Sequence, residues 1–138
     1  MNFRIVTVQV LNSYEQSNIG GIVMDIQKLE AAGVNYQDGL KRFAGVAAIY
    51  EKYLKKFLTD TEFQDLMTKL DEKDYDAAFK CAHSLKGIAG NLSIDGLYKN
   101  VVPLVEALRG KQLDNLEELR EGVEREYALI CEALKQAV

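Results

Sequence analysis

Residues 74–92 read DYDAAFKCAHSLKGIAGNL, and this stretch decides the fold class that we expect. Its apolar residues recur every three or four positions, which is the spacing of one face of an α-helix. They are Ala78, Ala82, Leu85, Ala89 and Leu92. Asp74 precedes the run, where a helix N-cap is expected. The stretch therefore predicts an amphipathic helix that buries one stripe against a helical core.

His83 is the only histidine of the chain, and the phase of this helix predicts that it faces solvent. At 100° per residue, its side chain lies roughly 160° from the centre of the apolar face. Gly87 and Gly90 share this outer side, where a longer side chain would lean back over the preceding turn. A glycine inside a helix costs about 0.5–1 kcal/mol relative to alanine. Two of them beside the histidine therefore indicate that another surface approaches closely there.

Two lysines accompany the histidine. Lys86 follows it by three residues and Lys80 precedes it by three, so both place positive charge near the imidazole. An imidazole is largely unprotonated and nucleophilic at neutral pH, so its nitrogen can take up a phosphoryl group. Such a carrier needs exposure, a nearby cation and room for a partner. The alternative interpretation is a solvated histidine among ordinary surface lysines and helix-packing glycines.

Apolar stripes predict helices over most of the remaining chain. Their expected spans are 25–32, 36–44, 49–70, 93–110 and 114 onward. Thr61 with Gln64 resembles a capping box and predicts a break near Asp60, and Ser93 is expected to be an N-cap. Short loops force neighbouring helices to run antiparallel. We therefore expect an all-α fold, an antiparallel up-down four-helix bundle with short N-terminal helices.

The first 23 residues differ in character from the rest. Residues 5–11 are rich in β-branched side chains and are followed by a turn-like stretch at 18–21. We divide the chain into an N-terminal extension of uncertain structure, residues 1–23, and a helical domain, residues 24–138. If the extension is ordered, it packs on the bundle or pairs with a second chain, and the sequence leaves both open.

Composition excludes several classes of function. The formal net charge of −4 disfavours nucleic acid and anionic membrane surfaces as partners. No apolar run is long enough to span a membrane and no cleavable signal peptide is evident, so we expect a cytoplasmic protein. Cys81 and Cys131 lack metal-ligand spacing, so we expect two free thiols and no metal site.

The segment from Ala82 to Leu92, AHSLKGIAGNL, resembles the signature of histidine phosphotransfer (HPt) domains of bacterial phosphorelays. The stretches GLKRF at 39–43 and YLKKF at 53–57 are also similar to such domains, as is the helix at 97–109. The resemblance covers roughly residues 24–138. It implies a four-helix bundle that carries a phosphoryl group on His83.

The resemblance also implies roles for the neighbours of the histidine. Lys86 would help to neutralise the phosphoryl group, and Gly87 would give the partner access, as we also expect of Gly90. The implied partners are a histidine kinase and a response-regulator receiver domain, which supplies its own aspartate and Mg²⁺. The protein itself would be a carrier without a cofactor and not an enzyme. We expect the surface around the histidine to contact the partner through Phe79, Lys80 and Ser84.

One expected role has no residue to fill it. Many HPt domains hydrogen-bond the histidine ring from a Gln or Glu on the next helix, and the aligned position here is Val105, followed by Glu106. What orients the ring is therefore open at the level of sequence.

There are three alternatives to a stand-alone phosphotransfer protein, and the first differs in its circuit but not in its chemistry. One is a phosphorylated domain of a chemotaxis-type kinase, which is disfavoured because no kinase domain follows in this chain. Another is a helical adaptor or dimerisation module in which His83 is not phosphorylated. An enzyme comes last, because the chain has one histidine and no glycine-rich phosphate loop before a helix.

Overall fold

A computed structural model describes residues 24–137, and all of its regular structure is helical. Seven helices lie within this range. They are α1 (Ile26–Ala31), α2 (Tyr36–Arg42), α3 (Ala47–Phe57), α4 (Glu62–Asp71), α5 (Tyr75–Asn91), α6 (Asp95–Gly110) and α7 (Leu116–Ala137). The expected all-α class is confirmed. The sequence prediction for residues 1–23, including a strand near its start, lies outside the described residues.

The helices pack mainly with their neighbours along the chain. α5 lies between α4 and α6, α6 packs on α7, and α1 lies against α7. α2 contacts both α1 and α3. The core of leucine, valine, alanine and tyrosine side chains runs through all seven helices. Among α1 to α7, none combines the length and apolar character that a membrane crossing requires.

Three helix starts follow the capping rules that the sequence suggests. The side chains of Asp25, Asn35 and Asp74 accept hydrogen bonds from the backbone three residues on, at 3.2, 3.2 and 3.1 Å. These bonds satisfy amide groups that a helix leaves without a partner in its first turn.

The expected capping box at Thr61 is wrong. A break does separate α3 from α4, but the Thr61 side chain makes no capping bond to the backbone. Asp60 takes this role, because its Oδ1 accepts a 2.8 Å hydrogen bond from the Glu62 amide. Four other expected ends shift by two residues. α3 begins at Ala47 rather than at 49, and α6 begins at Asp95 rather than at 93. α2 ends at Arg42, since Ala44 is left-handed (φ 57°), and α7 begins at Leu116 rather than at 114.

The expected N-cap role of Ser93 is also wrong. Ser93 has a left-handed backbone, with φ of 56°, and is 1% exposed. Its hydroxyl donates a 2.6 Å hydrogen bond to Asp38 Oδ2 on α2, and this bond is the main cause of the lowered pKa of Asp38. Its carbonyl accepts from the Asn35 amide at 2.8 Å. Ser93 thus ties the turn between α5 and α6 to the start of α2.

The same turn carries two further links to the N-terminal helices. Val34 and Ile94 form an isolated antiparallel bridge, and the Tyr50 hydroxyl on α3 donates a 2.7 Å hydrogen bond to the Leu92 carbonyl. The carbonyl at the end of α5 is therefore satisfied by a buried side chain. Together these contacts fix α2 and α3 beside the C-terminal end of α5.

Candidate functional site: the outer face of α5

α5 buries the stripe that its sequence predicts. Ala78, Ala82, Leu85 and Ala89 are fully buried. The small alanines let α4 and α6 approach this helix closely. His83 lies on the opposite side and is exposed. Helical phase alone therefore placed this residue correctly.

The two glycines of the outer face differ. A Cβ atom built at Gly87 would meet no atom within 4 Å, so the helix backbone there is bare. A Cβ at Gly90 would lie 3.2 Å from Tyr98 Cε1 on α6. Gly87 therefore offers open space one turn beyond His83, whereas Gly90 accommodates a neighbouring helix. The role of both in partner access stays a prediction.

Lys80, Ser84 and Lys86 lie on α5 within three residues of the histidine. Lys80 and Ser84 are exposed, and Lys86 is half-buried. No carboxylate among residues 24–137 forms an ion pair with Lys80 or Lys86. Both ammonium groups are therefore available to an anion on the imidazole. Their roles toward such an anion stay predictions.

Ser84 contacts Glu62 on α4, the helix that precedes α5 in the chain. Burial raises the pKa of Glu62 at the start of α4, as do the carboxylates of Asp60 and Asp65, and a hydrogen bond with the Ser84 side chain opposes this effect. The carboxyl groups of Asp60, Glu62 and Asp65 therefore place negative charge around the start of α4. This region contacts Ser84, the residue that follows His83 on α5.

Phe79 is the residue whose ring lies against His83. The two ring centroids are 5.8 Å apart and the planes are inclined by 40°. Phe79 precedes the histidine by one helical turn and is partly buried. The guanidinium carbon of Arg109, on α6, lies 5.0 Å from the Phe79 centroid.

Arg109 is held in turn on its own helix. Its Nε and Nη2 donate to the carboxylate of Glu106 at 3.3 and 3.5 Å.

The expected partner position on α6, Val105, is fully buried in the core. Of the residues between 24 and 137, none hydrogen-bonds the His83 ring. Sequence reasoning missed Arg109, because a contact between α5 and α6 leaves no trace in the spacing within either helix.

On the N-terminal side of His83, the outer face carries a groove lined by Asp76, Phe79, Lys80, Leu108, Arg109 and Lys111. Two further grooves flank the face on the C-terminal side. One is lined by the glycines and by charged or polar side chains: Arg42, Lys86, Asn91, Asp95 and Tyr98. The other is mainly apolar and is lined by Phe43, Tyr53, Phe57, Ile88 and Leu92, with Lys56, Asp60 and Asn91 at its polar positions. Ile88 and Phe43 are partly buried, while Tyr53 is 42% exposed. α3 and the C-cap residue of α2 therefore supply part of the apolar surface beside the C-terminal half of α5.

Comparison with known families assigns the chain to a class. The Hpt domain family matches residues 52–137, more than half of the chain, and the chain belongs to this family. No curated protein and no solved structure matches it. Hpt domains are phosphocarriers of phosphorelays, in which they work with kinases and receiver domains. The match includes all of α4 to α7 and therefore the exposed face of α5.

Proposed function

We propose that this protein is a histidine phosphotransfer protein that carries a phosphoryl group on His83. It receives the group from a histidine kinase or an upstream receiver and passes it to the aspartate of a response-regulator receiver. The observation that carries the proposal is the exposed histidine in the middle of α5, beside the bare backbone at Gly87. Membership of the Hpt domain family supports it.

The transfer step needs few groups from this chain. The lone pair of the unprotonated ring nitrogen attacks the phosphorus of the aspartyl phosphate. An N–P bond forms while the P–O bond breaks, and the aspartate carboxylate leaves with the electron pair. Lys86 stabilises the negative charge of the phosphoryl group on the imidazole. In this proposal the receiver supplies the Mg²⁺, and the carrier uses no cofactor of its own.

The bundle of this carrier, we propose, consists of α4 to α7 in up-down order. The connections comprise residues 72–74, 92–94 and 111–115. Such short connections favour antiparallel neighbours. In the contacts, α4 packs on α5, α5 on α6 and α6 on α7, which is the order that this topology requires.

The decisive experiment is transfer of labelled phosphate from receiver domains of the same genome. Each receiver is charged with labelled acetyl phosphate and Mg²⁺ and mixed with the wild type or with His83→Gln. We expect label on the wild type alone. Glu121→Gln on α7 is the matched control, because Glu121 is exposed on another helix and its change also replaces the side chain by glutamine.

The same variants test the other class of function. If the chain were a helical adaptor, His83→Gln would leave partner binding and signalling intact. Equal labelling of the wild type and His83→Gln would overturn the proposal. Alkaline stability and acid lability of the label would identify a phosphoramidate, so label that survives acid would also contradict it.

A further inference from the structure

We infer that Phe79 is a positioning residue for His83 and that Arg109 holds Phe79 in place from the neighbouring helix. The inference rests on the proposed phosphorylation of His83. It assigns to aromatic packing the orientation of an imidazole that no hydrogen bond from residues 24–137 fixes.

The first step is the geometry of the two rings. Side chains on a helix lean toward its N-terminus, so the imidazole at position 83 leans toward the side chain at 79. The centroid distance of 5.8 Å and the inclination of 40° lie within the range of favourable aromatic pairs. Because the χ2 angle of histidine has broad wells, an exposed ring without a partner would sample many orientations. Phe79 excludes the imidazole orientations that would overlap its own ring.

The second step is what fixes Phe79. The guanidinium of Arg109 lies over its ring at 5.0 Å, within the distance of a cation–π contact. The guanidinium also donates two long hydrogen bonds to Glu106, at 3.3 and 3.5 Å. Both side chains are more than half exposed, so this pair contributes little to holding the guanidinium. Phe79 is also partly buried against the core. Phe79 therefore contacts Arg109 on α6 as well as the imidazole, and it links α6 to His83.

The His83 imidazole would therefore have a fixed orientation, while either of its two nitrogens could carry the proton. Packing against an apolar ring restricts χ1 and χ2, but it does not favour one neutral tautomer as a hydrogen bond does. Such a device orients the nucleophile before the partner arrives. A misplaced nucleophile slows a group transfer even when the complex forms normally.

Nuclear magnetic resonance tests the orientation directly, since His83 is the only histidine. Three-bond couplings to its Cγ report the χ1 populations, and the ¹⁵N shifts of the imidazole report the tautomer. We expect one dominant χ1 rotamer in the wild type and in Phe79→Tyr, which keeps the ring. Phe79→Leu should spread the populations over both wells that a helix allows, with the tautomer ratio unchanged. Arg109→Gln should give an intermediate spread, and Arg109→Lys, which keeps the charge but not the planar guanidinium, should lie between Arg109→Gln and the wild type.

Two results of this experiment would overturn the inference. One is a wild-type ring that already averages between rotamers. The other is a Phe79→Leu ring with the wild-type distribution. Circular dichroism of each variant confirms that the helices remain, so that a change of rotamer is not a consequence of unfolding.

Transfer kinetics supply the second readout, with the acetyl-phosphate-charged receiver that labels the wild type. Phe79→Leu should lower the maximal rate at saturating carrier by about 3- to 30-fold. The carrier concentration that gives half the maximal rate should change by less than about twofold, and Phe79→Tyr should restore the rate. A changed half-saturation with an unchanged maximal rate would make Phe79 a docking residue and overturn the inference. Failure of the proposed function looks different, because then His83→Gln is labelled like the wild type.

Discussion

The two halves of the outer face of α5 are built in opposite ways. Before His83, side chains from α6 and from the loop after it reach over the helix. Arg109 covers Phe79 at 5.0 Å, and Lys111 Nζ pairs with Asp76 at 2.9 Å. After His83, Gly87 leaves the backbone bare, and Tyr98 on α6 lies over Gly90 only one turn further on. We call residues 76–80 the covered half of this face and residues 84–87 the open half, and the histidine lies between them.

This difference shows how one helix can serve two demands. A phosphoryl carrier needs an imidazole with a defined direction and a surface that a partner can approach. In the proposed carrier, cross-helix contacts on the covered half would supply the first, and a missing side chain on the open half would supply the second. The open half has a cost in stability, because glycine disfavours the helix by about 0.5–1 kcal/mol relative to alanine.

The largest expected effect comes from closing the open half. Gly87→Leu places a side chain where the partner must approach, and inserting a side chain into a packed contact costs about 1–3 kcal/mol, or roughly 5- to 150-fold in affinity. The free protein should keep its fold, because a Cβ at 87 meets no atom within 4 Å. Receiver-to-carrier transfer at limiting concentration measures the loss.

The matched control adds a leucine to the covered half. Lys80→Leu alters an exposed residue that precedes His83 by three positions. We expect it to slow transfer less than Gly87→Leu does. Equal losses in the two variants would mean that the two halves do not differ in access.

The next effect concerns charge on the open half. Lys86→Ala should slow transfer, because it removes the cation nearest to the bare backbone. An exposed or half-exposed ion pair contributes up to about 1 kcal/mol, which is roughly a fivefold change in rate. Lys80→Ala removes the same charge from the covered half and should have a smaller effect. A melting curve of Lys86→Ala should match that of the wild type, and a Tm lowered by many degrees would contradict a role confined to the surface.

Much of this site could be predicted from the sequence, because the face of α5 on which a residue lies depends only on its position along that helix. The phase of α5 depends only on spacing, so the buried alanines and the exposed His83 could be predicted. The same holds for Asp74, whose N-cap bond joins residues three apart. The existence and type of most helices could be predicted for this reason.

What could not be predicted depends on distances between helices. Gly87 and Gly90 lie about 60° apart on the same side of the helix, but Tyr98 on α6 fills the space at Gly90 and not at Gly87. Ser93 has the composition of an N-cap, yet its hydroxyl reaches Asp38, which is 55 residues away in sequence. Such partners are chosen by packing, and the intrinsic preference of the residue does not reveal them.

The two glycines themselves give the next prediction, in stability. Gly87→Ala should raise the free energy of unfolding by about 0.5–1 kcal/mol, because alanine is the better helix former and its methyl group meets open space. Gly90→Ala should raise it less, since its Cβ would lie 3.2 Å from Tyr98 Cε1. Urea denaturation of both variants measures the difference. In a Tyr98→Ala background the two substitutions should give equal gains, and a persistent difference would show that Tyr98 is not its cause.

The smallest effect belongs to the rim of the covered half, where Lys111 pairs with Asp76. Their hydrogen bond and charge attraction lower the pKa of Asp76 from its ordinary value of 3.8. Because the folded-state pKa is the lower one, the pair stabilises the fold above the unfolded pKa of Asp76, and this contribution is lost as the pH falls through the folded value. Both side chains are largely exposed, at 85% for Asp76 and 64% for Lys111, so water screens the pair and the effect on stability is small.

A carboxyl ¹³C titration should therefore show Asp76 ionising below 3.8 in the wild type, and Lys111→Gln should move its midpoint upward. An unchanged midpoint in Lys111→Gln would mean that this contact does not persist in solution, and the covered half would then depend on Arg109 and Phe79 alone.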